Sequence, residues 1–134
     1  MKITLNIGLT PSVHATLPAR PTADTITLNA VKWAQWFMPG PVLVEQRPQP
    51  AEDCLILSGT FNPPGTMARS HSANMHTLRT ALGILARRTE QDCVACVVQV
   101  NPNLTAFGIL EGPRAEAWQP FDMTKFVRPT GESL

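Results

Sequence analysis

Few residues of this chain have the types and spacing that chemistry needs. His71 and His76 stand five apart. A helix brings positions four apart to one metal ion, so a spacing of five places the two imidazoles on different sides. His14 lies far from both, in a proline-bearing stretch. Cys93 and Cys96 form a C-x-x-C, but a redox pair of this kind opens a helix, and a zinc site needs a second pair of ligands. Within a strand the two thiols point to opposite faces. Together with Cys54 they read as inert buried thiols, and neither a metal nor a cofactor is expected. Ser70 or Ser72, a histidine, and Asp53 or Asp92 supply the residue types of a nucleophilic relay, but such a relay is defined by geometry rather than by spacing.

The string Gly59-Thr60-Phe61-Asn62-Pro63-Pro64 resembles the first signature of nucleotidylyltransferases such as the nicotinate-mononucleotide adenylyltransferases. There a G-T-F-x-P-P segment follows the first strand, and histidines close behind it stabilise the transferring phosphate. The resemblance implies a nucleotide site drawn from Gly59, Thr60, Asn62, His71 and His76. It covers six residues and departs from the family in three ways. Gly65 stands where the first histidine belongs, His71 and His76 come late for the H-x-G-H step, and the string follows a third strand rather than a first. Neither Gly59 nor Gly65 leads into Lys-Ser or Lys-Thr, so the pattern of a phosphate loop is missing.

The elements that would position these residues are clearer. Cys54–Val100 reads as strand, loop, helix, strand. Met75, Leu78, Leu82 and Leu85, with Ala81 and Ala86 beside them, form one apolar stripe at the helical period. His76, Arg79, Gly83 and Arg87 mark the wetter side, and Ser70, Ser72 and Asn74 compete to cap the start. The runs Cys54–Leu57 and Cys93–Val98 are apolar without alternation, as interior strands covered on both faces would be. Lys2–Leu9 alternates, with Ile3, Leu5, Ile7 and Leu9 on the buried side.

A first helix runs from a cap at Thr25 or Thr27 to about Phe37, its inner stripe made by Leu28, Val31, Ala34 and Met38. Pro39-Gly40-Pro41 ends it. A short strand at Val42–Gln46 follows, and Thr105–Leu110 returns as a hairpin partner beyond the turn at Asn101–Asn103. The stretch 10–23 is a loop long enough to be functional or mobile. Asp122 can cap one short turn in an aromatic, proline-rich tail.

This order gives an α+β fold of the ferredoxin-like βαββαβ pattern, with an added C-terminal strand outside the fourth and an aromatic tail. The expected organisation is one domain over 1–129 and a disordered tail at 130–134. Both helices fall on one face of the sheet. The other face, expected to show Leu55, Leu57, Val94 or Ala95 and part of Val97–Val98, needs a cover. Trp118, Phe121 and Phe126 of the tail are the favoured cover, and a second copy is the alternative.

Composition narrows the function class. The chain has 134 residues, 43% hydrophobic and 16% charged, with a net charge of +1 and a mean hydropathy of −0.03. A charge so near zero argues against nucleic acid as a partner. No apolar run is long enough to span a bilayer, and the start lacks a signal-peptide pattern, so the expected location is cytoplasmic. Trp33, Trp36 and Phe37 offer more aromatic surface than a short helix needs, and tryptophan is enriched at interface hot spots. Arg79 and Arg87, with Arg69 and Arg88, give a modest basic face.

The C-terminal half, with Gln91–Ala95, Gly112–Trp118 and Pro120–Asp122, is similar to small uncharacterised proteins of bacterial phages and mobile elements. That likeness brings no activity with it. The reading is a non-enzymatic interaction module that contacts a protein partner through Trp33, Trp36, Phe37, Arg79 and Arg87, with a homodimer through the open sheet face as a further option. A nucleotide-handling enzyme built on 58–76 is the alternative.

Overall fold

The computed structural model describes residues 1–15, 21–47, 53–62, 71–99 and 106–130. The elements are β1 (Lys2–Gly8), α1 (Ala23–Phe37), β2 (Leu43–Arg47), β3 (Cys54–Thr60), α2 (His71–Arg88), β4 (Val94–Gln99) and β5 (Phe107–Glu111). Two short 3-10 turns follow, at Ala115–Trp118 and Met123–Lys125. Ser70, the expected turn at 101–103 and residues 131–134 lie outside the described residues.

The molecule is of mixed α+β type, with one open sheet of five strands in the order β2-β3-β1-β4-β5, every neighbouring pair antiparallel. β1 and β2 both pair with β3, so they run parallel to each other with β3 between them; β3 and β4 flank β1 in the same way. β5 sits outside β4, where the sequence places it, and makes the sheet wider than a four-stranded ferredoxin-like one.

The register fixes which residues share a face. Leu57, Leu5, Cys96 and Ile109 lie in one row across four strands. With Ile3, Ile7, Leu55, Val94 and Val98 they face the helices and form one core with Ile26, Ala30, Trp33, Leu78, Leu82 and Leu85. The α2 stripe is the expected one. The α1 stripe is so only in part: Ala34 and Met38 point inward as expected, but Leu28 is 53% exposed and Val31 half-buried, and Ile26, Ala30 and Trp33 take the inner positions. The α1 cap also moves, to Thr22, whose side chain accepts the Thr25 N–H at 3.2 Å. An earlier start leaves the spacing Ile26, Ala30, Trp33, Phe37 as the continuous stripe.

The expected second face is corrected as well. Leu55 and Leu57 sit on the helix side, and the opposite side carries Thr4, Asn6, Ile56, Ser58 and Val97. At its centre Thr4 Oγ1 and Ser58 Oγ are 3.1 Å apart and hydrogen-bonded to each other. The tail does lie across this face. Phe121 packs over Gly108, where any Cβ would come within 2.5–2.7 Å of its ring. Asn6 grips the Val127 main chain through both amide atoms, donating to its carbonyl at 2.8 Å and accepting its N–H at 2.7 Å. Trp118 takes no part, being largely exposed. Asp122 does cap its short turn, accepting the Thr124 N–H at 3.0 Å. β2 forms one rim of the sheet, with Leu43 47% and Val44 46% exposed on opposite faces.

Candidate functional site

Two regions concentrate side chains that are not needed for the core. The first is the outer side of α1. Leu28, Lys32 and Trp36 follow at steps of four along one helix, so they form a strip on its surface. All three are exposed, Trp36 to 63%. Its two aromatic neighbours turn away. Trp33 is 1% exposed and donates its indole N–H to the Ala81 carbonyl at 2.8 Å, so it is a core residue that presents no surface. Phe37 is half-buried, tilted against Trp33 at 5.1 Å between ring centroids and stacked on Phe61 at 6.2 Å. Of the three aromatics that the sequence groups together, Trp36 alone faces solvent.

The second region is a cleft of about 390 Å³ at one end of the sheet, lined by Ser12, His14, Arg87, Asp92 and Arg114 among others. Its floor is a clamp between distant segments. Ser12 Oγ donates to Asp92 Oδ1, and the Trp118 indole donates to Asp92 Oδ2 at 3.3 Å. Ser12 also accepts the His14 main-chain N–H at 3.1 Å. The Ser12 proton is committed to a carboxylate and the nearest histidine contact is through backbone, so this is not a nucleophilic relay. The cluster ties the loop after β1 to the start of β4 and to the C-terminal segment. Ser12 carries no sequence signal, because its partner lies 80 residues away.

The remaining predicted residues are dispersed. Arg79 pairs with Glu111 of β5 at 3.0 Å, Arg87 borders the cleft, and His76 is exposed on α2. Gly59, next to last in β3, lies under the α1–β2 corner, where a Cβ would meet Met38 Cε and the Pro41 carbonyl at 3.1 Å. Thr60 is exposed, Phe61 is buried, and Asn62 donates its N–H to the Phe37 carbonyl at 2.9 Å. The Gly59-Thr60-Phe61-Asn62 string thus has packing roles, in which glycine permits a close approach and phenylalanine fills the core. Residues 63–70 and the His71 side chain lie outside the described residues.

The thiols differ in exposure and agree in chemistry. Burial, with the neighbouring Asp92 charge adding to it, pushes Cys93 up to about 11. Burial alone pushes Cys96 further up. A thiol that holds its proton this firmly is a poor nucleophile and a poor metal ligand at neutral pH. Among the described residues no three His, Cys, Asp or Glu side chains gather into a metal-binding group. No described helix is long and apolar enough to cross a membrane.

Compared with protein-family models, curated proteins and solved structures, the chain finds no match in any of the three.

Proposed function

We propose that this protein is a non-enzymatic binding module that engages a protein partner through the outer side of α1. The observation that carries the reading is Trp36. It is a tryptophan 63% exposed on a helix whose inner side is already fully packed. Leu28, two turns earlier on the same strip, is 53% exposed. Single exposed apolar residues are ordinary, but an aligned pair with a large aromatic makes the anchor of a helix-borne contact. Lys32 between them would contribute a rim charge.

The same proposal includes the finer fold and setting. The chain is read as a ferredoxin-like βαββαβ unit widened by β5, acting in the cytoplasm as a small accessory or inhibitory protein that works by covering a partner's surface. Its scaffold favours such work, since both helices sit on one face and leave their outer sides to solvent.

The test compares partner capture by the wild-type chain with capture by Trp36→Ala and Leu28→Ala, using Val13→Ala as an exposed control elsewhere. The expected result is a partner held by the wild type and by Val13→Ala but lost at least about tenfold by Trp36→Ala, in line with a hot-spot truncation. Equal retention of every partner by Trp36→Ala would sink the proposal.

A further inference from the structure

We propose that the sheet face opposite the helices is a groove for an extended peptide, and that residues 126–130 of the chain occupy it in cis. This inference stands apart from the α1 reading and uses different residues.

The hydrogen bonds along this stretch show how it is held. Asn6 takes both the N–H and the C=O of Val127. Arg47 donates to the Arg128 carbonyl at 3.2 Å. Glu45 accepts the Thr130 N–H at 3.1 Å. Apart from the Thr130 hydroxyl, which accepts from Arg47 at 2.8 Å, the groove reads main chain. Main-chain readout is what lets one surface take extended segments of different sequence. Two side chains add selectivity. Phe126 and Arg128 wall a small hollow together with Lys2, Thr4, Val97 and Gln99, and Pro129 is buried. The chemistry recognised is therefore an aromatic residue, two residues of open backbone, and a proline.

The occupant is built to leave. Residues 119–130 join no strand of the sheet, and 122–125 between the two phenylalanine anchors are all exposed. The face beneath is mixed: β1 presents Lys2, Thr4 and Asn6 there, Thr4 and Ser58 are hydrogen-bonded to each other, and Ile56 and Val97 are its buried apolar members. Uncovering a face with this share of polar side chains costs less than uncovering one lined by Leu55 and Leu57. A tethered segment competes at an effective concentration of about millimolar, so a partner peptide must displace it.

The experiment uses the full chain carrying Phe126→Ala with Val127→Pro, which removes the aromatic anchor and the N–H given to Asn6 while leaving the groove intact. The probe is a fluorescein-labelled synthetic peptide of residues 119–130, followed by anisotropy. The released variant should bind it saturably and at least about tenfold more tightly than the wild type, and the same peptide with alanine in place of Phe126 should bind neither. A released variant that keeps the native circular dichroism yet binds no better than the wild type overturns the proposal. Should that variant unfold, amide exchange in the wild type decides. The Val127 and Thr130 amides should exchange at least about 100-fold faster than those of Leu5 and Ile56, as local opening requires; equal rates would mean that the segment leaves only on global unfolding, which also overturns it.

Discussion

The indole of Trp33 on α1 donates to the carbonyl of Ala81 in the middle of α2 at 2.8 Å, so the helix pair is joined by a polar bond inside its apolar core. A buried carbonyl can accept twice, and this one does so without losing its place in the helix.

Replacing Trp33 should therefore be a stability change and not a surface change. Trp33→Ala is expected to cost about 3–5 kcal/mol, the range for truncating a buried aromatic. Trp36→Ala, at a site 63% exposed, should stay within about 0.5 kcal/mol. Urea denaturation of the two variants checks both, and a Trp33→Ala chain as stable as the wild type would contradict the packing described for α1.

Glycines give a second contrast. Gly112 has φ +153°, and a Cβ there would lie 2.6 Å from the Asp92 carbonyl and from Cys93 Cα. Gly40 has φ +122° with open space around it. Gly40→Ala should cost only backbone strain, about 1–2 kcal/mol. Gly112→Ala adds an overpacking penalty of about 1–3 kcal/mol against main chain that cannot yield. Thermal midpoints of the pair should fall in that order.

The cysteines set an alkaline limit. With Cys93 pushed up to about 11 by burial and by Asp92, the unfolded chain gives up that proton at lower pH than the folded one. Unfolding therefore becomes easier as pH rises from the free-thiol range near 8.5 through 11, and the effect is absent at neutral pH. Stability against pH should bend downward over that interval, less so in Cys93→Ser. Iodoacetamide at pH 8 should modify native Cys93 and Cys96 far more slowly than the urea-unfolded chain.

At the acid end the relevant group is Glu45. The Thr130 hydroxyl, then the Thr130 N–H and the Arg47 side chain, hold its carboxyl below the usual glutamate value against an opposing desolvation. Its contribution is complete above the unfolded carboxylate range and fades as pH falls through the lower folded midpoint. The Thr130 amide resonance should shift with the Glu45 titration, at a pH where the β1 amides are still unchanged. Simultaneous change at both places would mean that the tail end and the sheet are one cooperative unit.

Sequence and structure agree where a pattern has a single reading. The α2 stripe of Leu78, Leu82 and Leu85 has one, and all three are fully buried. α1 has two, since Leu28–Val31 and Ile26–Ala30 each make a helical stripe. The choice falls to Trp33, whose polar atom needs a partner that only α2 provides. In β3 the unbroken run Cys54–Leu57 hides its own parity, and pairing with alternating β1 is what sends Leu55 and Leu57 to the helices. The Ser12–Asp92 clamp joins residues 80 apart, and no local spacing encodes such a meeting. In the same way, Trp36 is singled out as the exposed member of its aromatic group only once Trp33 and Phe37 are seen to be taken up by packing.

The rim formed by β2 bears on how the protein behaves when concentrated. Leu43 and Val44 make that margin greasy on both sides, which is the profile of a template for runaway fibre growth. Yet the margin is only five residues long, and the sequence places Pro41 before it and Pro48 after it. Proline has no N–H to offer an incoming chain, so a foreign strand would find a zipper whose teeth run out almost as soon as they engage.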